Sequence, residues 1–359
     1  MTITLPNIVR ALIAALITGL GMASLAVHAG ENTITFYGNA NLSVESTDPG
    51  GTGAQGRRTS VSDNSSVLGI TGEEVLGNGL SAIFQIEVDA DGIDGGSAPG
   101  APLFGAGGNT FAGLAGAFGS IALGNHDTPY TTSIGGLDPF SDTIADNNAI
   151  LGNAQGSSLY ESAGNSIIYL APEINGLGAH FQYSFDETAG SHSDIWGAQA
   201  HYSNGPLYLS YGHETQKGAD AGNTNRSADV LGAGYTVAAT TLSAVYEVLR
   251  SDATGSTADR NAWHVGLAHN VGNNTFKLAY ARAANSAADA NDGAYYWAAG
   301  LSHNLSKRTE LFGLYARTSN DSNGAYGLGQ TGSGGAVGGA DVPAGANVDS
   351  FAVGMKHGF

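Results

Sequence analysis

The chain has 359 residues, only 12% of them charged, with 55 glycines and no cysteine. Thirteen Lys and Arg against 31 Asp and Glu leave a formal charge of −18. Globular chains average about 25% charged residues and about 7% glycine, so an ordinary soluble domain is a poor description. Disulfides and thiolate metal sites are excluded, and nucleic-acid binding has too few cations to meet a phosphate backbone. Thirty aromatic residues spread along the chain argue against disorder.

The first 29 residues read as a secretory signal. Met1 to Arg10 carries one positive charge, Ala11 to Ala26 is apolar, and Val27-His28-Ala29 is a small-residue exit before Gly30. The apolar run is short of the roughly 20 residues that span a bilayer. Residues 30–359 then form the mature chain.

Beyond Gly30 the dominant signal is alternation with period two. Ile34, Phe36, Gly38, Ala40, Leu42 and Val44 share one face of a first strand, and Thr35, Tyr37, Asn39, Asn41, Ser43 and Glu45 the other. Similar alternation runs through Leu177–Asp186, Leu207–Glu214, Trp263–Ala268 and Phe276–Ala281. Between strands, seven short connections alternate with eight long Gly/Asp/Ser/Asn-rich ones. The short ones are 75–79, 117–119, 172–176, 204–206, 237–240, 272–274 and 305–308. The long ones are 47–63, 91–108, 127–164, 188–193, 218–228, 251–260, 285–293 and 320–347. Sixteen strands follow.

That alternation predicts an all-β fold: a 16-stranded antiparallel transmembrane β-barrel, with short periplasmic turns and long external loops. Apolar residues face lipid and polar ones an aqueous lumen, and only closure satisfies every backbone group in hydrocarbon. By parity, Glu45, Gln85, Glu87, Asp186, Glu214 and Glu247 face the lumen, where carboxylates favour cations. His126, His180, His201 and His264 share that side without the spacing of a metal site. Asp89–Gly95 only partly matches a calcium loop and reads as a solvated external loop. No nucleophile elbow, phosphate loop or metal motif appears, so no catalytic residue, metal or cofactor is expected. The last strand, Asp349–Phe359, ends in an aromatic residue. Phe359 resembles the assembly signal of outer-membrane barrels, read by a β-barrel assembly machinery.

Taken in order, several segments resemble the general, trimeric porin family of Gram-negative proteobacteria. They are Thr35–Gly38, Gly69–Leu80 with Ala82–Glu87, Asn109–Leu114, Leu123–Tyr130, Asn165–Tyr169 with Ala171–Glu173, and Leu305–Thr309 with Leu314–Arg317. The resemblance covers essentially the whole mature chain. It implies an outer-membrane location, a homotrimer among lipid and lipopolysaccharide, and a water-filled channel for ions and small hydrophilic solutes. It also implies a third loop, 127–164, folded inward as a constriction. That loop carries Asp127, Asp138, Asp142, Asp146 and Glu161 and no Lys or Arg. The family commonly places basic residues on the facing wall. Here Val67, Thr71, Gly108, Asn125 and Ile168 stand in the corresponding positions, and Lys277 and Lys356 are the clearest lumen cations. Most other basic residues, Arg57, Arg58, Arg226, Arg260, Lys307 and Arg308, are expected in loops or turns. The balance predicts a cation-preferring pore. A substrate-specific channel is the alternative within transport, and a barrel enzyme or adhesin the alternative outside it.

Overall fold

The computed structural model describes residues 32–50, 56–90, 92–94, 107–153, 159, 161–187, 193–220, 224–329 and 342–359. The signal segment, Asp91 and Gly95 lie outside them. The strands are β1 (Thr33–Asp48), β2 (Arg58–Asp63), β3 (Val67–Gly77), β4 (Leu80–Asp89), β5 (Thr110–Gly116), β6 (Gly119–Asp127), β7 (Ser162–Leu170), β8 (Leu177–Ser184) and β9 (Ile195–Asn204). They continue as β10 (Leu207–Asp220), β11 (Thr224–Val237), β12 (Thr240–Ser251), β13 (Arg260–Val271), β14 (Asn274–Ala283), β15 (Ala294–Asn304), β16 (Thr309–Asn320) and β17 (Val348–Gly358). One short helix, α1 (Pro129–Ile134), follows β6.

Each strand pairs antiparallel with its neighbour, and β1 pairs with β17, so the sheet closes without a free edge. The seventeen segments make a sixteen-stranded wall, because β2 and β3 are halves of one strand. Both lie against β1, with Leu42 opposite Asp63 and Asn39 opposite Val67. The break between them is a bulge in which Ser65 takes a φ of 58°.

The side-chain pattern inverts that of a soluble barrel. Ile34, Phe36, Val44, Leu123, Leu177, Leu231, Phe276, Leu278, Phe351 and Val353 point outward and are exposed. Their inward neighbours are mostly Ala, Gly, Ser, Thr and polar residues, with Val230 beside Leu231 an apolar exception. Among the described residues no helix is long and apolar enough to cross a membrane. Crossing falls to the strands, whose backbone groups are paired within the sheet.

Loop lengths alternate as expected, with two corrections. The 47–63 connection shrinks because β2 occupies Arg58–Asp63. The 218–228 connection is mostly strand, with β10 running to Asp220 and β11 starting at Thr224. The seam closes at the C-terminus. The Phe359 amide donates to the Gly38 carbonyl at 3.1 Å. The Phe359 ring lies against Gly38, where a Cβ would sit 2.6 Å from it.

The apolar core lies inside the barrel, on one side. Tyr130, Ile134, Leu137, Phe140, Ile150 and Leu151, all from the segment after β6, pack with inward residues of β11–β17 such as Val230, Leu249, Ala281, Tyr296 and Ala316.

Candidate functional site

The segment between β6 and β7 is built to lie down on the inner wall. Thr128 caps α1, its side chain accepting from the Thr131 amide, and Pro129 supplies the fixed φ of a first helical turn. Two carboxylates then fold the chain on itself. Asp138 accepts from the amides of Phe140 (2.9 Å) and Asn147 (2.7 Å). Asp146 accepts from those of Asn148 (2.9 Å) and Asp142 (3.0 Å). Burial pushes the Asp138 carboxyl up to about 6 and holds Asp146 well above the usual carboxylate range.

A track of inward glycines makes room for this segment. A Cβ on Gly197 of β9 would sit 3.0 Å from Pro129, and one on Gly212 of β10 2.6 Å from Ser133. On Gly232 of β11 it would meet Leu137 at 2.5 Å, on Gly266 of β13 Pro139 at 2.7 Å, and on Gly300 of β15 Phe140 at 2.8 Å. Much of the glycine excess on this side of the wall is therefore steric clearance for a second layer.

Glu247 of β12 fastens both ends of the segment. Fully buried, it accepts from the Tyr130 hydroxyl near the start and from the Gly152 amide at 2.6 Å near the end. Arg260 of β13, equally buried, lies 3.4 Å from Glu247. It also donates to the Ile150 carbonyl at 2.6 Å and to that of Asn153 at 3.1 Å. At the far end of its reach the segment crosses to the seam. Asn41 of β1 donates to the Asp142 carbonyl at 2.8 Å, and Lys356 of β17 pairs with the Asp142 carboxylate at 3.0 Å.

Beside a smaller cavity of about 150 Å³ whose charged lining residues are Lys277, Glu310 and Lys356, the segment and the wall leave open a cavity of about 660 Å³. It is lined by Asp89, Asp127, Asp142, Asp146 and Glu161, with Thr131, Thr132, Gly135, Gly136, Ser141 and Ser162. No Lys or Arg is among these lining residues. Burial pushes Glu161 up to about 7, against the opposing pull of Gln216, which donates to it, and of Arg226 nearby.

The expected site residues divide into three groups. Asp127, Asp142, Asp146 and Glu161 meet at the cavity, whereas Asp138 lies beneath the segment, with one carboxylate oxygen 3.8 Å from the buried His264. On the open wall, Val67, Thr71, Gln85 and Glu87 point inward from β3 and β4. There Tyr37 covers Gly69 and donates to Glu87 at 2.7 Å. Gly108, with φ of +75°, has no space for a side chain, since a Cβ would sit 2.8 Å from Glu87. Asn125 bridges the Gly108 carbonyl and the Ser162 hydroxyl. Lys277 points inward beside Glu310 at 3.8 Å.

The third group faces inward yet is covered. Glu45, Ile168, Glu214 and Glu247 are at most 2% exposed, so none of them presents a solvated surface to the lumen. Glu45 is bonded to Ser43 and Ser62, and Glu214 to Gln216. Asp186 lies beyond the end of β8, where it accepts from the Ser193 amide. His180 and His264 are buried, and no metal-binding group of three occurs among the described residues. The expectation of loop positions is wrong for three arginines: Arg58, Arg226 and Arg260 are strand residues. For Arg226 and Arg260 the parity shared with the small inward residues Ala228 and Ala262 was the available signal.

A closed antiparallel wall with an apolar exterior and a chain segment laid inside it defines an outer-membrane β-barrel of the porin class. The chain belongs to the Gram-negative porin family, which it matches over residues 11–324. It is 32% identical over 250 residues to outer membrane porin protein 32 of Delftia acidovorans, covering 66% of this chain and 69% of that one. With the major outer membrane protein P.IB of Neisseria meningitidis serogroup B it shares 32% over 215 residues, 56% of this chain and 58% of that one. Among solved structures, the anion-selective porin from Comamonas acidovorans aligns with a TM-score of 0.77 at 28% identity, over 92% of this chain and all of that one. A trimer form of OmpT from Vibrio cholerae aligns at 0.69 and 14% identity, a likeness of fold. The protein is thus an outer-membrane porin of a Gram-negative bacterium.

Proposed function

We propose that the barrel is a passive channel for ions and small hydrophilic solutes, that 127–164 is its constriction, and that the pore prefers cations. The observation that carries this reading is the 660 Å³ cavity whose lining presents Asp89, Asp127, Asp142 and Glu161 and no cation, with Asp146 buried behind them. In water a unit charge pair at 4 Å is worth about 1 kcal/mol, rising to about 4 at an effective dielectric of 20. A narrow passage lies between these limits. The Debye length at physiological salt is about 8 Å, so the preference weakens as salt rises. Lys356 offsets Asp142 and Lys277 faces Glu310, which puts the weight of the negative potential on Asp89, Asp127 and Glu161.

The sign is opposite to that of the anion-selective Comamonas porin, so it is the point to test. Asp89→Asn with Asp127→Asn leaves the turns held by Asp138 and Asp146 intact. Expected is a wild-type zero-current potential of cationic sign in a KCl gradient, moved toward zero by the pair. An anion-selective wild type, or one unmoved by the substitutions, overturns the charge assignment. Block by a single low-concentration solute favours the substrate-specific alternative.

The same reading includes a homotrimer in lipid and lipopolysaccharide, removal of residues 1–29 on export, and Phe359 as the signal to the assembly machinery. It assigns no catalytic role to any residue.

A further inference from the structure

The inward segment separates two cavities of different character. The acidic one takes its wall residues from the long-loop ends of strands, with Asp89 closing β4, Asp127 closing β6 and Ser162 opening β7. The smaller one, of about 150 Å³, lies on the short-turn side, roofed by Pro139–Ser141 and Thr143 and walled by β14–β17 with Asn41 of β1. Lys277 is the fourth residue of β14 and Glu310 the second of β16, while Ser302 and Lys356 are third from the ends of β15 and β17.

Mixed charge distinguishes this smaller cavity. Glu310 stands opposite Lys356 in register. Lys277 reaches Glu310 across β15, its ammonium 3.8 Å from the carboxylate. That distance is beyond a direct hydrogen bond, so the ammonium keeps donors, and the carboxylate lone pairs, for a third party. Lys356 is already engaged, paired with Asp142 at 3.0 Å. Two buried oxygens of lining residues have no hydrogen-bond partner among the described residues. They are the Ser302 hydroxyl and the Asn41 side-chain carbonyl, each in a residue 1% exposed. Buried polar atoms are nearly always bonded, and a polar occupant accounts for two orphans at one cavity. Phe140, Phe312 and Leu314, all buried, give the same cavity an apolar side.

An occupant suited to these groups carries both charges. A dicarboxylate brings its second charge against Glu310, and a diamine brings its second against Lys277. A cavity of about 150 Å³ is large enough to hold a benzene ring, which leaves room for a small side chain beside the charged groups. We propose that this cavity is a binding site for an α-amino acid with an apolar side chain. Its carboxylate meets the Lys277 ammonium and the Ser302 hydroxyl, its ammonium meets Glu310, and its side chain lies against Phe140, Phe312 and Leu314. Positive and negative groups then alternate around a closed ring. The proposal rests on the channel reading only in placing the site on a solute's path.

The test follows binding of L-leucine to the folded full-length barrel in detergent by saturation-transfer NMR. The comparison probes are isocaproate, which lacks the ammonium, isoamylamine, which lacks the carboxylate, and glycine, which lacks the side chain. The variants are Lys277→Met, Glu310→Gln, the two together, and Ser302→Ala, a change small enough to keep the test open should a charge variant not fold. Expected is binding of L-leucine at least tenfold tighter than that of any other probe, lost at least tenfold in each charge variant and by a smaller factor in Ser302→Ala. In a planar bilayer, L-leucine added on the short-turn side interrupts the open current of the wild type and not that of the double variant. Binding in a barrel that conducts no ions supports the site and counts against the channel reading alone. Three results overturn the proposal: no binding of L-leucine to the wild type, equal binding of L-leucine and either singly charged probe, or unaltered binding in Glu310→Gln.

Discussion

Replacing Glu247 with alanine strikes both ends of the inward segment at once. The carboxylate's bonds to Tyr130 and Gly152 vanish, and Arg260 is left buried beside an empty space. Breaking a buried pair by removing one partner costs about 3–5 kcal/mol. Arg260 retains the carbonyls of Ile150 and Asn153, which places the loss at the lower end, about 3 kcal/mol, or a factor of roughly 100 in an equilibrium. The wall's ladder hydrogen bonds are untouched, so the loss falls on the seating of 128–161 rather than on the barrel. Single-channel recording in a planar bilayer should show a noisier open level with excursions to larger conductance, while the barrel's own unfolding temperature changes little. Glu247→Leu combined with Arg260→Met removes both charges and should be quieter than Glu247→Ala. A Glu247→Ala channel with wild-type step size and noise refutes the idea that this pair fastens the segment.

Two further outcomes follow from the same surroundings. Gly266→Leu drives a side chain into Pro139, and overpacking of this kind costs about 1–3 kcal/mol. It should alter single-channel conductance, whereas Gly136→Ala, whose Cβ meets nothing within 4 Å, should leave it as in wild type. Glu161, raised to about 7 mainly by burial, is neutral well below that pH and charged well above it. Cation preference measured by zero-current potential should therefore grow from pH 6 to pH 8. A flat profile, or an unchanged one in Glu161→Gln, contradicts the assignment.

The wall was legible because a bilayer imposes its pattern on every strand: Phe276, Leu278 and Tyr280 announce β14 without reference to anything distant. The signal stops where the bilayer stops. Near the long-loop end of β10 and β11 the outward residues become Thr215, Lys217, Asn225 and Ser227, so hydrophobic alternation ends while hydrogen-bonded pairing continues. That is why Arg226 looked like a loop residue. Parity also named Glu45, Glu214 and Glu247 as inward but carried no information about what lies over them. Coverage depends on where 128–161 comes to rest, and its contacts run from Asn41 to Lys356. The five acids of 127–164 were readable as a group. Their division between folding the segment and facing the cavity was not, because it depends on which backbone amides each carboxylate meets.

The glycine track has a consequence for how such a pore can change over generations. Any codon change that replaces Gly197, Gly212, Gly232, Gly266 or Gly300 by another residue adds volume where a second layer of chain already lies. The aperture is thus exposed to alteration at five separate strands by single substitutions that leave every charge in place. Selection for exclusion of a toxic solute would find routes there that spare the electrostatic character of the passage. Variants recovered under such pressure should cluster on these strands at inward glycines, away from the carboxylates themselves.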